Sequence, residues 1–205
     1  GREEGFMTKK TIDSFSGPYR FLSNFYMTPV GIDGIDYPSS EHAYQASKAH
    51  PDAVYSKDPE TGREVTWRLA IAFAPTAGKA KKMGSAEGYE GKILPMRPRF
   101  PEFKVQHMES ILRVKFAPGS EMAEKLIATG GAELVEGNTW GDVFWGVCKG
   151  KGENNLGKVL MRIRADLQHS REYPAVEDLA DEVYEEVEGL AMQAVITFVE
   201  SLDAM

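Results

Sequence analysis

The stretch Tyr37-Pro38-Ser39-Ser40-Glu41-His42-Ala43-Tyr44-Gln45-Ala46-Ser47-Lys48 constrains the fold more than any other in the chain. Pro38 and Ser39 punctuate it, a serine there can accept from the exposed N–H groups of a helix start, and Glu41 falls in the first turn. At helical spacing Glu41, Gln45 and Lys48 share one face with Tyr44 beside them, while Ala43, Ala46 and Ala49 line another. Small side chains on that second face allow close packing, so the helix is expected to sit against its neighbours inside a domain. A first-turn carboxylate meets the positive end of the helix dipole, which is expected to hold Glu41 ionised and in place. Dipole work is the plain reading of Glu41, and a reacting carboxylate is the other.

At 205 residues, 42% hydrophobic and 27% charged, the chain can bury one good core and has the composition of a soluble globular protein. No apolar run reaches the length of a membrane span and no secretory signal pattern is present. The single cysteine, Cys148, cannot form an internal disulfide, and a reducing, cytoplasmic setting is expected. With no histidine near it to act as a base, Cys148 reads as an inert, partly buried small residue. Residues 1–7 are set aside as a remnant or disordered segment, 8–171 form the main domain, and 172–205 form an added arm. The net charge of −7 divides along that line: the last 34 residues hold ten acids and no Lys or Arg, leaving 24 bases against 21 acids before them. A mildly basic body therefore stands behind an acidic whole, which matters for anionic ligands.

Aromatic residues broken by Gly and Pro between Phe15 and Tyr26 suggest short strands and loops. Val30 to Tyr37, with Asp33-Gly34 at its centre, reads as a hairpin that delivers the chain into the Glu41 helix. Pro51 to Thr66 is a polar loop with at most one strand pair. Helical periodicity returns at Trp67–Phe73 and Thr76–Met83, and Leu94 to Phe103, with three prolines, reads as irregular. Phe103–Phe116 is the clearest amphipathic helix, followed by helices over Glu121–Thr129 and Leu156–Gln168 with a short strand at Ala132–Glu136 between them. In the arm, Val176, Leu179, Val183, Val187, Leu190, Ala194, Phe198 and Leu202 recur three or four apart opposite an acidic face. A stripe that long is expected to be covered, by folding back on the parent domain or by pairing in a homodimer.

The chemistry narrows by elimination. Gly152-Glu153-Asn154-Asn155-Leu156-Gly157-Lys158 matches a phosphate-binding loop up to its lysine, but Val159 stands where a Ser or Thr must hold magnesium. The stretch Gly150 to Gly157 can still hold an anion on its backbone N–H groups, or it is a plain turn with an Asn cap. His42, His50, His107 and His169 have no ligand spacing, so no metal is expected, and His42 reads as a packing residue. The small positive balance of the body is no nucleic-acid footprint. What is left is Glu41 on a helix start, a second carboxylate in Trp140-Gly141-Asp142, aromatics, and the amides Asn24 and Asn154. Two acids and aromatic faces are equipment for breaking a glycosidic bond.

Phe21-Leu22-Ser23-Asn24-Phe25, Pro38 to Ala46, Leu134-Val135-Glu136-Gly137-Asn138-Thr139-Trp140-Gly141-Asp142, Gly152 to Gly157 and Leu160-Met161-Arg162-Ile163-Arg164 together resemble the NADAR, or YbiA-like, family. The motifs stand in register over roughly Phe15 to Leu167. The resemblance implies an α+β domain, mainly helical with a small β-sheet, acting as an N-glycosidase with no cofactor or metal. It carries the family's catalytic Glu onto Glu41 and its Trp and Asp onto Trp140 and Asp142. Asn24, Phe25, Tyr44, Lys48, Gly152 and Asn154 are expected to line the substrate pocket. Arg97 matches an expected basic position, and Lys82 is expected to compensate for Ser85, where family members often carry Arg. The substrate classes implied are ADP-ribose on a nucleobase, guanine first, free or in DNA or RNA, and phosphorylated ribosylamino intermediates of riboflavin synthesis. A non-catalytic sensor of ADP-ribose or NAD is the reading from a different class. No membrane partner is expected.

Overall fold

A computed structural model describes residues 9–172 and 192–193. Apart from Glu172, Met192 and Gln193 the acidic arm lies outside the described residues, as does the 1–7 segment. The chain divides into two compact units, residues 1–164 and 165–205, and the candidate site lies in the first.

That first unit is α+β, as expected, with its β content split into four two-stranded ladders. β1 (Thr11–Ile12) runs parallel to β6 (Glu133–Leu134), and β7 (Gly137–Asn138) parallel to β8 (Val147–Cys148). β2 (Met27–Ile32) and β3 (Ile35–Ser39) form the expected hairpin. Its turn residues, Asp33 and Gly34, both have positive φ, at 52° and 76°, the condition that matches turn twist to strand twist. The polar Pro51–Thr66 segment holds only the pair β4 (Val54–Lys57) and β5 (Glu64–Thr66).

β3 runs directly into α1 (Ser40–Ser47), and Ser39 caps it: its Oγ accepts from the His42 N–H at 3.3 Å. Around α1 pack the hairpin, α2 (Trp67–Ala72), α3 (Ala77–Met83) and α4 (Phe100–Lys115). α2, α3 and α5 (Glu121–Ala128) start on Thr66, Thr76 and Ser120, each accepting a hydrogen bond from the third backbone N–H onward. α4 begins three residues before the expected Phe103. Arg99, at φ 61°, turns the chain, and Pro101 sits in the first turn, where its missing N–H costs nothing. Its buried face, Met108, Ile111 and Leu112, is the one the periodicity indicated. In α6 (Asn155–Glu172), Leu156, Val159, Leu160 and Ile163 are buried.

Ala43, Ala46 and Ala49 are buried as expected, but every residue from Ser40 to Ala46 is buried, so α1 has no polar face in water. Its polar groups must therefore bond within the protein. His42 does so at both ring nitrogens. Nε2 lies 2.9 Å from the Ala74 carbonyl oxygen, which can only accept, so Nε2 carries the proton. Nδ1, 2.6 Å from Ser39 Oγ, is then the acceptor, and burial keeps the imidazole neutral by lowering its pKa. His42 is the packing residue the sequence indicated.

Candidate active site

Glu41 projects from the first turn of α1 and is 7% exposed. Gln45, one turn on, donates from Nε2 to Glu41 Oε1 at 2.7 Å. The helix dipole expected to hold Glu41 ionised is opposed by its burial. Burial pushes its pKa up, and the Gln45 hydrogen bond and the charges of Lys81 and Lys48 offset only part of that. A partial charge at a helix terminus contributes under ~2 kcal/mol, whereas removing a carboxylate from water costs several. Asp142 adds to the upward push, so the two acids feel each other across the site.

Asn24 holds the start of α1 in place. Its carbonyl accepts from the Glu41 N–H at 3.0 Å and its Oδ1 from Ser40 Oγ at 2.9 Å. Phe25, next to it, is 39% exposed, with Lys81 Nζ 5.7 Å from its ring centroid. Lys48 lies a further turn along α1, donates to the Gly84 carbonyl at 3.0 Å, and has its ammonium 5.5 Å from the Tyr44 ring centroid. Burial lowers its pKa while Glu41 raises it, so Lys48 is also an electrostatic neighbour of Glu41. Tyr44 meets the edge of Trp145 at 5.5 Å between centroids, and Phe144 meets Trp145 at 4.9 Å. Lys104 caps the Phe144 ring at 3.4 Å.

The second carboxylate lies in the loop between β7 and β8. Asp142 Oδ1 accepts from the N–H groups of Phe144 at 3.1 Å and Trp145 at 2.8 Å, which fixes the turn that aims Trp145 at Tyr44. Asn138 binds the same turn from behind: its Oδ1 accepts from the Asp142 N–H and its Nδ2 donates to the Asp142 carbonyl. Trp140 is 65% exposed, so its indole has little protein to pack on and is open to a ligand.

Three of the expected residues have other surroundings. Asn154 Oδ1 accepts from the Glu136 N–H at 3.0 Å and its Nδ2 donates to the Leu134 carbonyl at 2.9 Å, so its amide ties the loop to β6. Lys82 is exposed near the end of α3, and it is the adjacent Lys81 whose charge acts on Glu41. Arg97 hydrogen-bonds through its backbone N–H to the Lys48 carbonyl at 2.7 Å, but its guanidinium points to His107, 3.2 Å away. It lines a cleft of about 280 Å³ with Arg68 and His107. Two other clefts, of about 360 and 300 Å³, are likewise lined by neither Glu41 nor Asp142. Gly152, in the loop before α6, packs against the Gly146 carbonyl. Among the described residues no three His, Cys, Asp or Glu side chains are grouped to hold a metal, and no helix is long and apolar enough to cross a membrane.

Gln45, Lys81, Lys104, Phe144, Trp145 and Glu136 join the site without having been singled out from sequence. Only Gln45 had a usable signal, its position one turn after Glu41 on the same face.

The arrangement groups the carboxyl groups of Glu41, Asp142 and Glu136 with Lys48, Lys81 and Lys104 and the rings of Tyr44, Phe144 and Trp145. Residues 6–168 match the model of the NADAR domain. The chain is 36% identical over 155 residues to the N-glycosidase YbiA of Escherichia coli K12, covering 75% of this chain and 85% of that one. An N-glycosidase of Nostoc punctiforme is 31% identical over 153 residues, covering 74% and 88%. A riboflavin biosynthesis protein of Vibrio vulnificus is 33% identical over 158 residues, which are 77% of this chain but 38% of that protein. The NMR structure of E. coli YbiA superposes with a TM-score of 0.63 at 32% identity, over 85% of this chain and 94% of that one. The chain belongs to the NADAR family.

Proposed function

We propose that this chain hydrolyses the N-ribosidic bond that joins ADP-ribose to a modified nucleobase, guanine first. The coarser activity, an N-glycosidase acting on N-glycosyl bonds, goes with the family and the N-glycosidases it resembles. The observation that carries the reading is Glu41, buried, hydrogen-bonded to Gln45, and flanked by Lys48 and Lys81. A carboxylate placed so can stabilise the positive charge that develops on the ribose carbon, or take a proton from the attacking water. Its upward shift brings it closer to neutrality, where a general base is most effective. Asp142 assists by holding the Phe144–Trp145 turn and adding negative charge, and Trp140, with Phe25, supplies a face for the base. Lys48, Lys81 and Lys104 suit a pyrophosphate.

A second reading, hydrolysis of a phosphorylated ribosylamino intermediate, is favoured by the similarity to a riboflavin biosynthesis protein. Both substrates offer ribose, phosphate and base to the same residues. Incubation with DNA carrying ADP-ribosylated guanine and, separately, with a ribosylaminopyrimidine phosphate distinguishes them, with the freed base read by mass spectrometry. Release from the first supports the proposal, and release from the second alone transfers it. Calorimetric binding of ADP-ribose without turnover of either would replace it with a sensor.

A further inference from the structure

Glu136 is a third carboxylate at this site, and neither Glu41 nor Asp142 accounts for it. It lies between β6 and β7, half-buried. Its backbone N–H is held by Asn154 Oδ1, and its Oε2 accepts from Asn138 Nδ2 at 3.1 Å. Asn138 is the residue that also grips Asp142 through both its N–H and its carbonyl, so Glu136 and the Asp142 turn share one anchor. The carboxyl group fills the space beside Gly146: a Cβ there would collide with Glu136 Oε2. Gly146 directly follows Trp145, whose ring edge meets Tyr44 on α1. A Cβ on Gly146 would also meet the Glu136 backbone carbonyl and Asn138 Nδ2, so the loop is packed closely around this carboxyl.

We propose that Glu136 is the proton donor to the departing base nitrogen, with Glu41 receiving the proton of water. This rests on the N-glycosidase reading above. The bond between the ribose carbon and nitrogen breaks with its electron pair passing to nitrogen, which takes the proton of the Glu136 carboxyl. The water oxygen bonds to the ribose carbon and its proton goes to the Glu41 carboxylate, leaving a free ribose hydroxyl and a neutral base. One proton returned from Glu41 to Glu136 through solvent closes the cycle. Asp142 is less suited to donate, because Oδ1 is engaged with two backbone N–H groups.

Burial acts on both acids in the same direction. Burial raises the Glu136 pKa and the Asp142 charge raises it further, while the Asn138 hydrogen bond and Lys81 act downward. Lys81 acts on Glu41 as well, so one cation serves both members of the pair. In glycoside hydrolysis two carboxyl groups divide the work, one giving a proton to the leaving group and the other acting on water.

The test compares leaving groups. Wild-type protein and Glu136→Gln are assayed on ADP-ribosylated guanine and on an ADP-ribosyl p-nitrophenyl glycoside, whose leaving group departs as a stable anion. Gln keeps the shape and the acceptor for Asn138. Glu136→Gln is expected to lose roughly 10²–10⁴ in kcat on guanine and less than about tenfold on the nitrophenyl substrate. The alkaline fall in the wild-type kcat on guanine should also be absent from the variant. Equal losses on both substrates, or none on guanine, overturn the assignment. Should the variant fail to fold, isotope-edited infrared titration of the wild-type protein decides: a Glu136 carboxyl that ionises in the ordinary range overturns it. Wild-type protein inactive on both substrates overturns the glycosidase reading itself, and the donor role with it.

Discussion

Lys115, in the last turn of α4, allows a stability prediction whose sign changes with pH. It is 4% exposed, and its Nζ donates to the Ser23 carbonyl at 2.9 Å, the residue before Asn24. The Tyr26 and Phe116 rings lie 5.8 and 5.1 Å from the ammonium. Such contacts favour the cation by about 0.5–2 kcal/mol each, yet burial wins and brings the Lys115 pKa from 10.5 down to about 7. At about 1.4 kcal/mol per pH unit, the charged form is penalised in the folded protein by on the order of 5 kcal/mol. Between pH 7 and 10.5 the unfolded chain binds the proton that the folded chain has released, so stability rises with pH across that window. Below pH 7 both states are charged and the whole penalty is present.

Lys115→Met removes the penalty and gives up one of the two hydrogen bonds on the Ser23 carbonyl, which still accepts from the Tyr26 N–H at 3.2 Å, a cost of about 0.5–1.5 kcal/mol. At pH 6 the variant should be more stable than wild type by about 3–4 kcal/mol. By pH 10 roughly 4 kcal/mol of the wild-type penalty has gone, and the variant should be equal or less stable by up to about 1 kcal/mol. Urea unfolding of both proteins at pH 6 and pH 10, with matched slopes, measures the difference directly. A stability difference that is the same at both pH values, or a variant weaker at pH 6, would refute the burial argument.

Other substitutions probe α1 and its neighbours. Glu41→Gln should bind ligand while turnover falls by roughly 10²–10⁴, and unfolding above the ordinary carboxylate range should show it more stable than wild type, because the buried charge is gone; near wild-type turnover would return Glu41 to a dipole role. Gly84→Ala places a methyl on Gln45 Oε1, which should displace the amide from Glu41 and cost about 1–3 kcal/mol in denaturant unfolding, together with lost turnover. His42→Ala leaves the Ala74 carbonyl without its donor and opens a cavity, so a loss of about 3–5 kcal/mol is expected in the same measurement.

What could be read from sequence was what is decided locally. The cap on Ser39, the Asp33-Gly34 turn and the periodic faces of α4 and α6 depend on residues within a few positions of one another, and they were legible. The start of α4 was missed because Pro101 reads as a breaker until one knows it occupies a first turn. Pairing of β1 with β6 joins residues more than 120 positions apart, in strands of two residues each, too short to leave a pattern. The same limit explains the site. Lys81 and Lys82 are neighbours in sequence yet point about 100° apart on α3, and only the packing of α3 on α1 selects Lys81 as the one that acts on Glu41. Trp145, Lys104 and Glu136 likewise enter through tertiary contacts that no spacing encodes.

The buried polar residues of α1 explain how one helix can serve both fold and chemistry. Ser39, Ser40 and His42 are each bonded to protein groups in a way that leaves little capacity over: Ser40 to Asn24, His42 to Ser39 and Ala74. Such groups specify the position of α1, because an unpaired alternative would cost about 1–3 kcal/mol each. Glu41 and Gln45 differ. Glu41 has the Gln45 amide and distant lysine charges in place of a close cation, and Gln45 Oε1 is buried without a partner. A fold selected for stability alone would fill those positions with apolar side chains, which often match or exceed a buried charge in stability. Retaining a carboxylate and an amide there, between residues whose bonds are complete, concentrates the unmet polar capacity of α1 at the point that faces Asp142. The geometry of Glu41 is thus fixed by its neighbours, while no close cation among the described residues is paired with it.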